Sequence, residues 1–519
     1  MSAEKVDAGP FQSAWQFTFV DGLIVLLESL VLSMQLSITP LRFSRPLTDS
    51  SVFRYVAFEM TQGRMPYLDT FDHKGPLLYI INYAGMKLSF WRGLWPIEFL
   101  VLLLAVVFFF KTARLLTNRV LAHLVTLIAV VSVFMHLEGG NLTEEYALPF
   151  ISYSMYALLD YYLNKKTTWL RVLLCGSCFG AVLLLRPNMI AVWAVFCLAI
   201  CFRCIADREF NDLLSFFIYF ALGCILLMAP IMIWIKSKGA MSAFLDTYIG
   251  FNSRYSQGSS GFLETNITRL NAFRTFLDNP ITTTALLSIP FGLVCKRDGV
   301  TVISIYFLLS VFLCSISGYV FAHYGITIVP AEVCCLAMLA GKDAFVIAPS
   351  EKAVHSGSTF SRYRTAIGAS IAKLIPLCAL AYLVLASAAP SFASMYTMAL
   401  AQLDENQSIV FDGEIGEAID LVRQCTEPED YITVCSNVDV IYLATGCQSA
   451  SRYSYQTVGE LDESIVDSYF AELEEQIPVA VVLPDSFFAE QRMNDFLSAH
   501  QFVEIGQTSD GWATVWSSQ

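Results

Sequence analysis

The chain contains repeated apolar stretches of about 18 to 22 residues, separated by short charged loops. As a helix, each stretch is long enough to cross the roughly 30 Å hydrocarbon core of a bilayer. Only 15% of the 519 residues are charged and the mean hydropathy is +0.56, whereas soluble domains carry about 25% charged residues. The pattern predicts an α-helical polytopic membrane protein. It excludes a soluble enzyme and a globular domain with a single anchor.

Eleven membrane spans are predicted. The first, at 15–36, is too long for a signal peptide and lacks a small-residue cleavage site, so we expect a retained helix. Asp21 and Glu28 within it should face the bundle interior, because an unpaired acid near the bilayer centre costs about 2.5–3.5 kcal/mol. The other predicted spans are 94–110, 120–136, 146–163, 170–186, 188–205, 213–235, 281–295, 300–317, 324–341 and 366–388.

Lysine and arginine in the loops indicate the orientation of the chain. With the N-terminus in the cytoplasm, every predicted inner loop is basic. An odd number of spans then places the C-terminal region outside, with outer loops at about 37–93, 137–145, 236–280 and 318–323. The inner loops hold Lys111, Arg114, Arg119, Lys165, Lys166, Arg171, Arg203, Arg208, Lys296, Arg297, Lys342, Lys352, Arg362 and Arg364.

The first outer loop departs from this charge rule. Two interpretations are open: a long loop can be translocated whatever its charge, or its cations line a site for an anion at the outer membrane surface. The cations are Arg42, Arg45, Arg54, Arg64, Lys74, Lys87 and Arg92.

The C-terminal region, 401–519, is strongly acidic, with 22 Asp and Glu residues against 3 Arg. Short β-branched runs at 430–435 and 478–483 are typical of buried strands, and 464–476 has helical spacing. We therefore expect a transmembrane domain, 1–390, and a small extracytoplasmic α/β domain, 391–519. The expected outer cysteines could form a disulfide, and the sequence does not choose a pair among Cys425, Cys435 and Cys447.

The first outer loop also contains a dense polar and aromatic segment at 48–79. Asp49 is placed to cap a helix, and Gly75-Pro76 to begin the next one. Capping is one interpretation of Asp49. The other is chemical, because a carboxylate at the membrane face can take a proton from an acceptor hydroxyl while Lys74 holds a phosphate leaving group.

Six motifs follow one another in about the first 340 residues: Asp49-Ser-Ser-x-Phe-x-Tyr55, Gly63-x-x-Pro-Tyr-x-Asp69, Phe71-Asp-His-Lys-Gly-Pro-Leu-Leu-Tyr79, Glu138-Gly-Gly-Asn-Leu-Thr-Glu-Glu-Tyr146, Leu185-Arg-Pro-Asn188, and His323-Tyr324 with Pro330. In this order they resemble bacterial relatives of the protein O-mannosyltransferases and lipid A aminoarabinose transferases. Those proteins are GT-C fold glycosyltransferases that use polyprenyl-phosphate sugars. The resemblance implies a GT-C type fold and that class of donor.

The resemblance also implies roles for two residues. Asp49 matches the general base of the family, and Lys74 matches the lysine of a Lys-Pro-Pro-Leu motif that approaches the lipid phosphate. The chain departs from the family where Gly75 replaces the first proline of that motif. It departs again where Ser50 stands in place of the glutamate found in many members. These departures indicate a distinct branch, so the acceptor is not carried over.

Other polar residues on the expected outer side are candidates for the same site. Glu144 and Glu145 are either solvated acids favoured by a helix dipole or ligands of sugar and acceptor hydroxyls, and Arg186 either snorkels to the interface or contacts phosphate. No spacing signature indicates an obligatory metal cofactor, and a divalent metal stays open. The expected phosphate ligands are Lys74, Arg186 and His323, and the expected donor or acceptor ligands are Asp72, His73, Glu144, Glu145 and Tyr324.

These features predict an integral membrane glycosyltransferase, hexosyl or pentosyl, that acts on the outer membrane face. It would transfer a sugar from a polyprenyl-phosphate donor to a hydroxyl of an envelope glycan, lipid or protein, with Asp49 as base and with inversion as the resemblance implies. The expected partners are donor, acceptor and membrane lipids, and no nucleic acid. Two alternatives stay open: a transporter or flippase of lipid-linked sugars, and a catalytically silent scaffold whose acidic outer domain binds partners.

Overall fold

The computed structural model describes residues 17–44, 48–257, 262–341, 374–403, 408–455 and 463–518, most of them helical. Two segments are not α-helical: Leu245–Phe251 is a π-helix and Ala322–Ile328 is a 3-10 helix. The helices up to residue 401 are α1 (Phe19–Ser33), α2 (Thr48–Thr61), α3 (Pro76–Leu88), α4 (Trp95–Leu116), α5 (Arg119–His136), α6 (Thr143–Asn164), α7 (Trp169–Leu183), α8 (Ala191–Ala206), α9 (Phe210–Ser237), α10 (Met241–Phe244), α11 (Asn252–Gln257), α12 (Phe262–Leu277), α13 (Pro280–Val294), α14 (Val300–Ser315), α15 (Val329–Ala340) and α16 (Leu374–Ala401).

Several helices have the length and the apolar composition that a membrane crossing requires. Five are long and apolar enough to do so: α4, α5, α9, α15 together with the 3-10 segment, and α16. Four shorter helices, α7, α8, α13 and α14, are also apolar. Each of the eleven predicted spans overlaps a helix. The number of crossings itself stays a prediction.

Buried polar contacts join the helices of the bundle. Asp21 and Glu28 are both buried, as expected, and Asp21 accepts hydrogen bonds from Arg119 Nε at 2.7 Å and His123 Nε2 at 2.8 Å. The carboxyl group of Glu332 on α15 accepts hydrogen bonds from Ser132 Oγ on α5 and Thr282 Oγ1 on α13, both at 2.7 Å. Asp21 and Glu332 are therefore paired across helices, as burial in an apolar bundle favours, whereas Glu28 Oε2 has no hydrogen-bond partner in the described part of the chain.

The first and last helices of the bundle end at the same side. Gln35 Nε2, just after α1, donates to the carbonyl of Met395 at 3.0 Å. Thr39 Oγ1 donates to Gln402 Oε1, just after α16, at 2.8 Å. The segments that follow α1 and α16 therefore begin at the same side of the bundle.

The C-terminal part contains a five-stranded sheet of order β2-β1-β3-β5-β4. Strands β2, β1 and β3 are parallel, whereas β5 is antiparallel to both of its neighbours. The predicted strands at 430–435 and 478–483 are β1 and β3, and the predicted helix at 464–476 is α19. The elements are α17 (Gly413–Cys425), β1 (Tyr431–Val434), α18 (Val440–Thr445), β2 (Gln448–Ser449), α19 (Glu463–Glu475), β3 (Ala480–Pro484), α20 (Glu490–Ala499), β4 (Val503–Gln507) and β5 (Ala513–Ser517).

Two sequence expectations about this part need comment. The expected division between residues 390 and 391 falls inside α16, which continues to Ala401, and the division into two domains stays a prediction. The fourteen cysteines, including Cys425, Cys435 and Cys447, are free thiols in the structure.

Helix α2 lies between the bundle and the C-terminal sheet. All of its residues from 50 to 59 are buried. On the sheet side, the Tyr55 hydroxyl accepts a hydrogen bond from the backbone N–H of Ser449 at 2.7 Å, and the Tyr55 ring lies 4.7 Å from that of Tyr442. Helix α2 is therefore an internal layer of the molecule.

Candidate functional site

The predicted site residues come from four connections at one end of the bundle: α1–α4, α5–α6, α7–α8 and α14–α15. Asp49 interacts electrostatically with Asp72 and with His323. Arg186 interacts in the same way with His73. The structure therefore brings together residues that lie up to 274 positions apart in the sequence.

Asp49 lies in the first turn of α2 and is partly exposed. It is the second residue of the helix rather than its cap, and in this turn the helix dipole stabilises a carboxylate. The next residue, Ser50, is buried and accepts a hydrogen bond at Oγ from Asn141 Nδ2 at 2.9 Å. The base predicted from the sequence thus sits on a rigidly held helix start.

Lys74 is held by contacts on both its backbone and its side chain. Its carbonyl accepts hydrogen bonds from the hydroxyls of Tyr67 at 2.8 Å and Tyr79 at 3.2 Å. Its Nζ lies 3.0 Å from His73 Nε2 and 5.6 Å from the centre of the Phe53 ring. Within the described part of the chain, Lys74 makes no ion pair with a carboxylate, so its charge is available to an anion.

Gly75 places Lys74 next to the connection between α7 and α8. The backbone N–H of Gly75 donates to the carbonyl of Leu185 at 3.0 Å, and that of Leu77 donates to the carbonyl of Leu184 at 3.1 Å. A Cβ on Gly75 would lie 2.0 Å from the Leu184 oxygen, which no relaxation of a side chain could relieve. The glycine that replaces the family's proline is thus required by close backbone contact, one residue from Arg186.

Asp72 is buried and its carboxylate accepts three hydrogen bonds. Oδ1 accepts hydrogen bonds from the His73 N–H at 2.8 Å and the Tyr455 hydroxyl at 3.0 Å, and Oδ2 accepts one from the Tyr79 hydroxyl at 2.8 Å. Burial raises the pKa of Asp72, although Lys74 and the two tyrosines oppose that shift. These contacts favour a role in shaping residues 72–75, the Lys74 loop, over direct contact with a substrate.

His73 is a neutral hydrogen-bond acceptor for Lys74. Burial lowers the pKa of His73 well below 6.5, and the charges of Lys74 and Arg186 act in the same direction. Its carbonyl accepts a hydrogen bond from Asn252 Nδ2 at 2.7 Å, and its ring lies 5.3 Å from that of Phe251. The π-helical segment and the first residue of α11 therefore pack against His73.

Arg186 is fixed by a carboxylate and an aromatic ring. Its Nη1 lies 2.5 Å from Glu144 Oε1, and its guanidinium carbon lies 4.2 Å from the centre of the Tyr324 ring. The second Glu144 oxygen accepts a hydrogen bond from Thr143 Oγ1 at 2.7 Å. Glu144 is therefore a buried ion-pair partner rather than the solvated acid that one interpretation of the sequence proposed.

Glu145 has a different environment from its neighbour. It is fully buried, and neither carboxylate oxygen has a hydrogen-bond partner in the described part of the chain. Its Oε2 and Glu98 Oε1 both point at Gly140, lying 3.3 and 2.9 Å from the position of a Cβ there. Glu144 thus pairs with the cation Arg186, whereas Glu145 lies beside a second buried acid, Glu98.

His323 is held by Glu138. Its Nδ1 lies 2.5 Å from Glu138 Oε2, and its backbone N–H donates to the same oxygen at 3.3 Å. The hydrogen bond from His323 lowers the pKa of Glu138. The Phe321 ring stacks on His323 with centres 5.6 Å apart. His323 and Tyr324 therefore enter the site from one short segment, as the sequence order suggests.

Several residues of the site gave no signal in the sequence. Tyr455 reaches Asp72 from the C-terminal sheet, where no family motif was seen. Asn252 is an amide whose position is apparent only when its distant partner His73 is known. Asn141 lies within the Glu138–Tyr146 motif, but its contacts with Ser50 and Asn82 were not predicted. Among the described residues, no group of three or more His, Cys, Asp or Glu is arranged to hold a metal ion. The expectation that no ion is obligatory stays a prediction.

The chain resembles known membrane glycosyltransferases over almost its whole length. ArnT from Cupriavidus metallidurans, solved with undecaprenyl phosphate, superposes with a TM-score of 0.58 at 15% identity, covering 96% of this chain and 97% of ArnT. Its apo structure gives 0.57 at the same identity and coverage. The Archaeoglobus fulgidus oligosaccharyltransferase gives 0.45 at 13% identity, covering 91% of this chain and 70% of that one. The similarity to ArnT shows that the fold is of the GT-C type, as the motifs implied.

No curated protein matches the chain significantly. A family model described as the N-terminal domain of the putative competence-induced protein Ccs4 matches residues 14–276, which is just over half of the chain. The matched region contains Asp49, Lys74, Glu138, Glu144 and Arg186, and it ends before His323. The chain therefore belongs to the family defined by the Ccs4 N-terminal domain.

Proposed function

We propose that this protein is an integral membrane glycosyltransferase that uses a polyprenyl-phosphate sugar. The observation that carries the proposal is that Asp49, a partly exposed carboxylate, and Lys74, an ammonium without an ion-pair partner in the described chain, both interact electrostatically with Asp72. Lys74 is oriented by a neutral histidine at 3.0 Å, so it keeps its full charge for an anion. The undecaprenyl phosphate bound by ArnT, a protein of the same fold, supports a lipid phosphate as that anion.

The proposed reaction is a single displacement. An acceptor hydroxyl attacks the anomeric carbon of the sugar, and the bond from that carbon to the phosphate oxygen breaks. The electron pair of the broken bond leaves on the lipid phosphate, which Lys74 stabilises, and the hydroxyl proton passes to Asp49. A single displacement inverts the anomeric carbon, as the family resemblance implies, and positioning and charge stabilisation supply most of the rate.

In this proposal Arg186 and His323 are further phosphate ligands, in addition to Lys74. Each is already paired, with Glu144 and Glu138 respectively, so each is held in place before a ligand arrives. A guanidinium stacked on Tyr324 and fixed by Glu144 keeps donors for a phosphate oxygen without having to be reordered on binding. In the same proposal Asp72 and His73 hold Lys74 in position, and Tyr324 holds Arg186 in position.

The finer assignments belong to the same proposal. The site faces the outside of the membrane, and the acceptor is a hydroxyl of an envelope glycan, lipid or protein. The acidic C-terminal part, which supplies Tyr455 to the site, favours cationic or hydroxyl-rich acceptors and repels free anions. The basic residues at the opposite helix ends support this orientation through the positive-inside rule.

The test separates phosphate binding from base catalysis in purified protein in lipid nanodiscs. Undecaprenyl phosphate serves as the binding probe, and Lys74→Ala is expected to weaken its binding because a charge-assisted contact is lost. Asp49→Asn should bind it normally. Transfer is followed by mass spectrometry of envelope glycans and glycoproteins from cells that carry each variant, where Asp49→Asn should lower product by about 10²–10⁴-fold.

Three outcomes would contradict the proposal. Near-normal product with Asp49→Asn would remove Asp49 from the chemistry, since a purely structural residue in the first turn tolerates Asn almost silently. Normal undecaprenyl phosphate binding by Lys74→Ala would remove the phosphate site. Movement of lipid-linked sugar across the bilayer without any glycosylated product would favour the transporter.

A further inference from the structure

We propose that Asn141 is a positioning residue that holds the Asp49 helix turn and the Glu138–His323 pair in one fixed geometry. The inference rests on the proposed function, because it takes Asp49 as the base. Asn141 touches neither Asp49 nor a substrate group. It contacts the residue next to Asp49, and it ends the turn that begins with Glu138.

The Asn141 side chain uses its whole hydrogen-bonding capacity. Nδ2 donates to Ser50 Oγ at 2.9 Å and to Asn82 Oδ1 at 3.0 Å, and it also lies 3.3 Å from the Ser50 carbonyl. Oδ1 accepts from Asn82 Nδ2 and from the Tyr146 hydroxyl, both at 3.0 Å. With 2% of its surface exposed, Asn141 joins α2, α3 and α6 through one amide.

The backbone of Asn141 is equally constrained. Residues 138 to 141 are all in the left-handed region, with φ values of 45°, 85°, 85° and 57°. The Asn141 N–H donates to Glu98 Oε1 at 2.7 Å. Asparagine is among the few residues besides glycine that adopt this conformation readily. Asn141 therefore satisfies two demands at once, a left-handed backbone and a side chain with both donors and an acceptor.

The side chain and the backbone of Asn141 together connect the first turn of α2 with the Glu138–His323 pair. The contact with Ser50 fixes the first turn of α2, which carries Asp49. The turn that Asn141 closes carries Glu138, which holds His323 at 2.5 Å. Loss of the Asn141 amide would release α2 from this turn, and the base would shift relative to the cations. A shift of about 1 Å in such a site can lower the rate by about 10²-fold.

Asn141→Gly tests this idea, because glycine keeps the left-handed turn and the N–H to Glu98 while removing only the side-chain amide. Product formation should fall by about 10- to 100-fold, with binding of undecaprenyl phosphate changed by less than about twofold because Lys74 is untouched. If Asn141 acts through Asp49, the double variant with Asp49→Asn should be scarcely slower than Asp49→Asn alone.

Ser132→Ala is the matched control for stability. It also removes a buried hydrogen bond, to Glu332 at 2.7 Å, but it lies within the bundle. It should lower the melting temperature without lowering product formation. Ser50→Ala is the milder variant should Asn141→Gly not fold, and it should produce a smaller loss of product with normal phosphate binding.

The outcomes are distinguishable from failure of the proposed function. Additive losses in the double variant, or equal losses of phosphate binding and turnover in Asn141→Gly, would overturn the positioning role. Normal product from both Asn141→Gly and Ser50→Ala would overturn it as well. Normal product from Asp49→Asn alone would instead overturn the proposed function, since it tests the base directly.

Discussion

At the scale of single residues, burial decides which titratable groups of the site carry charge. His73 is largely removed from solvent beside Lys74 and Arg186, so its ring stays neutral and its Nε2 can accept a hydrogen bond from the Lys74 ammonium. Asp72 is more deeply buried, and three donors surround it. Asp49 and His73 are both partly exposed. The roles of these neighbouring residues therefore follow from their charged and hydrogen-bonded neighbours as well as from their exposure.

The lowered pKa of His73 predicts how the stability of the protein depends on pH. Its pKa is lowered in the folded protein, so below about pH 6.5 the unfolded chain binds a proton that the folded chain does not. The free energy of unfolding should therefore fall with decreasing pH, by up to about 1.4 kcal/mol per pH unit from this group. Melting temperatures at about pH 7.5 and 5.5 should diverge less in His73→Gln than in the wild type. A larger acid sensitivity in the variant would contradict the burial argument.

At the scale of elements, the start of α3 is locked to the α7–α8 connection by backbone contact. Gly75→Ala would drive a methyl group against the Leu184 carbonyl, 2.0 Å away. We expect a loss of about 1–3 kcal/mol in stability and weaker undecaprenyl phosphate binding, because Lys74 moves with this backbone. Gly22→Ala in α1 is the matched control, since the new methyl group would make only an ordinary contact with Phe17 at 3.4 Å. Equal phosphate binding by the two variants would show that the Lys74 loop is positioned by other contacts.

At the scale of the whole molecule, the C-terminal sheet is part of the site. The Phe71 N–H donates to the Arg452 carbonyl at 2.7 Å, the Phe71 and Tyr453 rings lie 5.1 Å apart, and Tyr455 binds Asp72. Deleting residues 401–519 would therefore uncover the buried face of α2 and remove a partner of Asp72. Acceptor choice is better probed with point variants that leave this layer intact.

The same packing makes the topology testable. The first outer loop and the C-terminal sheet touch, so reporters placed in the loop and at the C-terminus should report the same side of the membrane. The charge rule predicts that this side is external and that the N-terminus is cytoplasmic. A C-terminal reporter active only in the cytoplasm would contradict the proposed orientation and the external site with it.

Apolar segment lengths were enough to predict the positions of the long apolar helices, because a bilayer requires about 20 apolar residues for each crossing whatever their neighbours. The motif order indicated Asp49, Lys74, Arg186 and His323, since each lies at a helix end where the chain emerges from apolar surroundings. Which of them are paired depends on how the distant connections pack together. Glu144 binds Arg186 while Glu145, one residue on, turns to Glu98, and nothing in their shared local sequence distinguishes them. The contribution of Tyr455 was likewise unpredictable, because it depends on a contact 383 residues away in the chain, and such contacts follow from packing rather than from local pattern.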